Sequence, residues 1–204
     1  MISLPLVYTI LALVAYTSSF WYLFIRLMSK RTPNLWCYGL LITLGLVLHG
    51  IVLYPDMMTP IGINYDVFNL MSFTSGLMLA LSLILSLIRP ILPLNLIGTP
   101  VAAFGLILGY AFSQPNQVIE QHSLGLDLHI ILSLSSYAVL LMATIHAVLL
   151  WFQDRELKKK QKRRIWVNLL PPFQVMESVL FDLIITGFGL LTAALLFGFF
   201  TIDN

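Results

Sequence analysis

Six apolar runs, Leu4 to Ile25, Leu35 to Tyr54, Val67 to Ile88, Ile91 to Phe112, Leu128 to Phe152 and Val179 to Phe200, alternate with shorter polar stretches along the 204-residue chain. Each is long enough to cross the ~30 Å hydrocarbon layer as an α-helix. The pattern predicts an all-α, polytopic membrane protein with six transmembrane helices. It forms a single transmembrane domain over residues 1–204, with a basic cytoplasmic loop at 153–178. Asp182 is the one formal charge within the runs.

Charge then orients the chain. The first connection holds Arg26, Lys30 and Arg31, and the third holds Arg89. The fifth holds Arg155, Lys158, Lys159, Lys160, Lys162, Arg163 and Arg164, which completes the eleven basic residues of the sequence. The opposite side carries Asp56, Asp66, Glu120, Asp127 and Asp203 and no base. Basic loops stay in the cytoplasm, so both termini face out. Trp21, Trp36, Trp151 and Trp166 fall near cytoplasmic helix ends, where an indole can sit in the interface.

A hydrophobic share of 59%, a charged share of 10% and a mean hydropathy of +0.92 describe a chain whose solvent is mostly lipid and give no sign of a separate soluble domain. The net charge of +2 hides a dipolar distribution and indicates no nucleic-acid partner. The first run lacks a basic leader and exceeds a signal peptide's apolar core, so it reads as a retained helix. The lone Cys37 provides neither a disulfide nor a C-x-x-C-H haem attachment site.

The outer connections, Pro55 to Asp66 and Ser113 to Asp127, are rich in Pro, Asn, Gln and acids and suit irregular backbone in water. The stretch from Gln153 to Arg164 reads as a helical extension of the fifth span and a topology anchor. Pro171 and Pro172 break the helix, and Glu177 is expected to open the next, where a carboxylate suits the positive helix end. Small-residue pairs, Gly105 with Gly109, Ser72 with Gly76 and Gly189 with Ala193, mark expected helix contacts. Pro93, Gly98 and Pro100 weaken the start of the fourth helix and predict a kink there.

Candidate chemistry rests on His49, His129, His146 and Asp182, since ionisable side chains within spans are costly. His49 and His129 fall in the outer third of the bilayer, as haem iron ligands, or one ligand and a propionate partner, would require. Tyr38, Gly45 and His49 share one side of helix two, and His129, Ser133, Ser136 and Thr144 a sector of helix five, so both histidines are expected to face the bundle. His146 lies ~25 Å deeper on a different face, and Asp182 sits near the cytoplasmic interface, where a lysine can reach it. His122 lies in the outer loop. Two readings of His49 and His129 compete: polar residues bonded across helices, or haem ligands. A third gives them a divalent-metal or proton role with Asp56, Asp66, Glu120 or His122. No Ser-His-Asp order, HExxH, P-loop or GxGxxG occurs, so no enzyme is expected.

The run Leu128-His129-Ile130-Ile131-Leu132-Ser133-Leu134-Ser135-Ser136-Tyr137-Ala138, followed by Gln153 and Leu157 to Lys160, resembles the signature helix of the cytochrome c assembly transmembrane family. Leu170-Pro171-Pro172, Glu177 and Gly187-Phe188-Gly189-Leu190-Leu191-Thr192 resemble its next helix, and His49 a recurrent position. The similarity covers nearly the whole chain and is closest to small inner-membrane members of the YpjD and HemX type. It implies a bacterial inner (cytoplasmic) membrane location and non-covalent haem as cofactor. His49 and His129 match the membrane histidines, with His122 a candidate external one. Haem and other biogenesis proteins are the implied partners besides the lipid bilayer. Two departures qualify the transfer. No Trp lies outside, so the family's WWD haem platform is absent, and further helices bearing another histidine are not among these 204 residues. The reading is a haem-binding or haem-handling accessory protein of cytochrome c biogenesis, without synthetase activity. The alternatives are a ligand-free scaffold or regulatory subunit, or a small transporter.

Overall fold

The computed structural model describes residues 3–59, 62–114, 118–119, 124–159 and 169–202. Its helices are α1 (Leu4–Met28), α2 (Leu35–Met57), α3 (Val67–Ile88), α4 (Asn95–Phe112), α5 (Leu124–Leu157) and α6 (Phe173–Ile202). All six predicted spans are present, each in a segment long and apolar enough to cross a membrane. Large apolar side chains such as Leu40, Ile185 and Phe199 point outward, as they can when the surrounding solvent is lipid. The exposed Trp21, Trp36 and Trp151 suit the interface.

Helix ends follow from local chemistry. α1 overruns its apolar stretch to Met28 and closes with Lys30 at φ 51°, where Arg31 N–H donates to Arg26 O at 2.9 Å. This is a Schellman-type stop. α2 begins where Asn34 Oδ1 accepts from the N–H groups of Trp36 (3.0 Å) and Cys37 (3.4 Å). α3 begins where Asp66 Oδ2 accepts from Phe68 N–H at 2.9 Å. Replacing Asp66 with alanine removes that cap, and a loss of about 1 kcal/mol in unfolding free energy is expected in detergent or nanodisc titrations.

Three expectations are corrected. The outer connections are not wholly irregular: β1 (Met58–Thr59), β2 (Gly62–Asn64) and β3 (Val118–Ile119) form an antiparallel sheet in the order β1-β2-β3, with Ile63 opposite both Met58 and Ile119. β1 and β2 form a local hairpin, but short-range composition cannot show the pairing of β2 with β3 more than fifty residues on. Glu177 does not open α6, which starts at Phe173 directly after Pro172 and has no acid in its first turn. Its carboxylate therefore lies beyond the helix end whose dipole was to favour it. Gly189 does not mark a close helix contact; among the described residues a Cβ there would meet nothing within 4 Å.

The proline-rich start of the fourth run is a 3₁₀ turn over Leu92–Leu94 followed by α4. α5 continues five residues past Phe152 as the expected extension, with Asp154 paired to Lys158 at 2.6 Å, Glu156 to Lys159, and Arg155 over the Trp151 ring at 5.6 Å. Lys160, Lys162, Arg163 and Arg164 lie outside the described residues.

Contacts gather into two compact units, Met1–Leu83 with Asn95–Ser123, and Ile84–Leu94 with Leu124–Asn204. In the first, α1 buries Thr9, Ala12, Tyr16, Ser19 and Leu23, and α2 buries Tyr38, Ile42, Gly45, His49 and Val52, each set along one helix face. α4 lies against α3 through glycine: a Cβ on Gly105 would fall 1.9 Å from Ser75 Oγ, and one on Gly109 2.8 Å from Ser72 Cβ. In the second, α5 packs along α6 at Gly187, where a Cβ would meet Leu140 at 2.6 Å. Ser136 Oγ donates to Gly187 O at 2.9 Å in the same contact.

Candidate functional site

His49 is 3% exposed on α2. Tyr16 OH from α1 bonds its Nδ1 at 3.0 Å, and Ser72 Oγ from α3 bonds its Nε2 at 2.8 Å. The rings of Tyr16 and His49 meet edge to face, 6.1 Å between centroids. Two glycines make the space. A Cβ on Gly45 would strike the Tyr16 ring at 2.6 Å, and one on Gly76 would stand 3.2 Å from His49 Cε1. Ser75 Oγ donates to Ser72 O at 2.9 Å and joins the cluster to the α3–α4 seam. The shared face of Tyr38, Gly45 and His49 is as expected. Tyr16 was not singled out from sequence, although the small residues Ala12 and Ala15 beside it mark the same buried stripe.

His129 stands near the start of α5, half-buried. Its Nδ1 lies 2.6 Å from Ala194 O on α6. A carbonyl oxygen only accepts, so Nδ1 carries the proton, and a neutral ring then bears its lone pair on Nε2. Gly198 permits this approach: a Cβ there would lie 2.7 Å from Nδ1. Of the residues predicted to share its stripe, Ser136 is buried against α6 and Ser133 is half-buried. Thr144 is exposed and donates to Leu140 O of its own helix at 2.9 Å, a correction to the predicted sector. In lipid a threonine satisfied by its own helix needs no partner helix.

His49 is thus built within the first unit and His129 within the second. His122 and Glu120 lie outside the described residues. His146 is 2% exposed, with Nδ1 3.0 Å from Met142 O and, among the described residues, no hydrogen-bond partner for Nε2. Asp182 pairs with Arg89 at 2.8 Å, where a lysine was expected. Both side chains are about half exposed, so the pair adds little stability. Among the described residues no group of three or more His, Cys, Asp or Glu could hold a metal ion, and Asp66 is occupied as a helix cap.

The sequence profile of the family described as Cytochrome C assembly protein matches residues 4–202. The chain belongs to this cytochrome c assembly family. The family member is 30% identical over 203 residues to the inner membrane protein YpjD of Escherichia coli K12, an alignment covering 97% of this chain and 75% of the relative. The YpjD proteins of Escherichia coli O6:H1 and O157:H7 match with the same identity and coverage. No solved structure matches this cytochrome c assembly protein. Family membership and six apolar helices make it a multi-pass membrane protein.

Proposed function

We propose that this protein handles haem in cytochrome c assembly, with His129 as an iron ligand, in the inner membrane of a bacterium. The observation that carries the assignment is the Nδ1 contact to Ala194 O at 2.6 Å. Metal-binding histidines characteristically donate one ring N–H to a carbonyl or carboxylate, which fixes the tautomer and aims the other nitrogen at the metal. His129 has that support, and it is only half-buried, so a large planar ligand has an approach. His49 fits less well. Both its nitrogens are engaged and the nest around it is filled, so to ligate iron through Nε2 it would have to give up Ser72. Its role in this reading is to hold α1, α2 and α3 together.

Haem supplies a redox-active iron whose properties respond to the axial ligand and to its hydrogen bonds. What this chain contributes is the fixed imidazole, oriented by α6, within an apolar helix pair. Such a protein binds and passes on haem and carries out no covalent step itself.

The test is spectroscopic. Protein purified in detergent from haem-replete cells is expected to show a Soret band that shifts on dithionite reduction. His129→Ala should remove most of that band, and His122→Ala should report any external second ligand. A wild-type protein that is colourless yet retains a partner would replace this reading with the scaffold.

A further inference from the structure

We propose that a polar cleft at the outer end of the first unit binds the head group of an amine-bearing phospholipid, with the Asp56 carboxylate receiving the primary ammonium. The cleft has a volume of about 480 Å³, within the roughly 300–1,000 Å³ range of small-molecule sites. Ser3, Asp56, Thr59, Asn64, Tyr110 and Ser113 supply its polar lining. These residues come from the start of α1, the last turn of α2, the β1–β2 hairpin and the end of α4. The site therefore gathers helix ends on the base-free side of the chain, at the level where lipid head groups lie.

The wall that carries Asp56 is built. Asp56 O accepts from Asn64 Nδ2 at 3.2 Å and from Asn69 Nδ2 at 3.3 Å. Asn64 Nδ2 also donates to Gln114 O at 2.8 Å, and its Oδ1 accepts from Asp66 N–H at 3.1 Å. With Asn64 2% exposed and Asn69 fully buried, two amides clamp the backbone of Asp56 while its side chain stays exposed. Among the described residues no cation pairs with that carboxylate, and none of the lining residues is basic.

Chemistry selects the ligand. One carboxylate beside hydroxyl donors from Ser3, Tyr110 and Ser113 complements a zwitterion: ammonium to Asp56, phosphate oxygen to the hydroxyls. An anionic head group would be repelled by Asp56. A quaternary choline carries the charge but no N–H to donate. A lysine of an outer polypeptide shares the ammonium, yet it has no reason to seek a cleft set at the ends of lipid-facing helices.

The full chain in detergent is offered equimolar phosphatidylethanolamine, phosphatidylcholine and phosphatidylglycerol with identical tails, and retained lipid is counted by native mass spectrometry. Phosphatidylethanolamine is expected to be retained about tenfold over each of the others, the preference one added charged hydrogen bond supplies. Asp56→Asn should lose that preference and Asp56→Glu should keep it, while Asp182→Asn, in the other unit, changes nothing. Equal retention by the wild-type protein overturns the proposal without any variant, as does a preference that survives in a folded Asp56→Asn protein. Binding of a soluble oligolysine peptide that depends on Asp56, without lipid preference, also overturns it and assigns the cleft to a polypeptide.

Discussion

Gly105→Ala is expected to destabilise the first unit by about 2–3 kcal/mol, although alanine is the better helix former by about 1 kcal/mol. The added Cβ would lie 1.9 Å from Ser75 Oγ and 2.8 Å from Ser75 Cβ, so rotating the serine cannot clear it. α3 and α4 must move apart. That separation weakens the neighbouring Gly109–Ser72 contact and with it the Ser72 bond to His49. The severe overlap is with one side chain; the next nearest atom, the backbone Met71 O at 3.3 Å, is a tight contact that needs a shift of only a few tenths of an ångström. Ser75→Gly should therefore restore most of the loss in the double variant, a recovery that a general packing defect would not show. Unfolding of all three variants in nanodiscs, followed by circular dichroism, reads the cycle. Equal stability of wild type and Gly105→Ala would mean that α3 and α4 do not meet closely at Gly105.

His49→Leu is expected to cost about 1–3 kcal/mol while leaving haem uptake per folded molecule intact. Leucine keeps much of the volume but strands Tyr16 OH and Ser72 Oγ in a site where neither reaches water. Interhelical hydrogen bonds in membranes are individually modest, often below 1 kcal/mol, so the loss comes mainly from the two orphaned hydroxyls. Tyr16→Phe in the His49→Leu background should recover part of it, because one of the orphans is then gone. A Soret band that vanishes in a folded His49→Leu protein would move the iron ligand from His129 to His49.

The two histidines show how far a sequence carries. Both were recognisable as inward-facing from the residues around them, because a polar side chain in a lipid-facing position is too costly to keep. Their difference was not recognisable. Whether an imidazole is saturated or has a nitrogen to offer depends on oxygens 33, 23 and 65 residues away in sequence, and no periodicity reports those. Small-residue pairs were equally ambiguous. Gly105 with Gly109 is a true seam, whereas Gly189 is open and Gly187 and Gly198 do the packing on α6. A glycine pair says that two backbones can approach and leaves open which side of the helix the neighbour takes.

What the amino-acid order determined by itself is the membrane class, the six crossings and the family, and it sets an expected direction for the crossings. These depend on quantities summed along the chain, apolar length against bilayer thickness and basic residues against the cytoplasmic side, and need no knowledge of neighbours. Tertiary structure alone decided that Tyr16 and Ser72 close on His49, that α6 tethers His129, that three short strands tie the outer loops and that helix ends leave a polar cleft around Asp56. Hydrogen bonds and close packing act over about 3 Å, and only the folded chain sets distances that small between residues far apart in sequence.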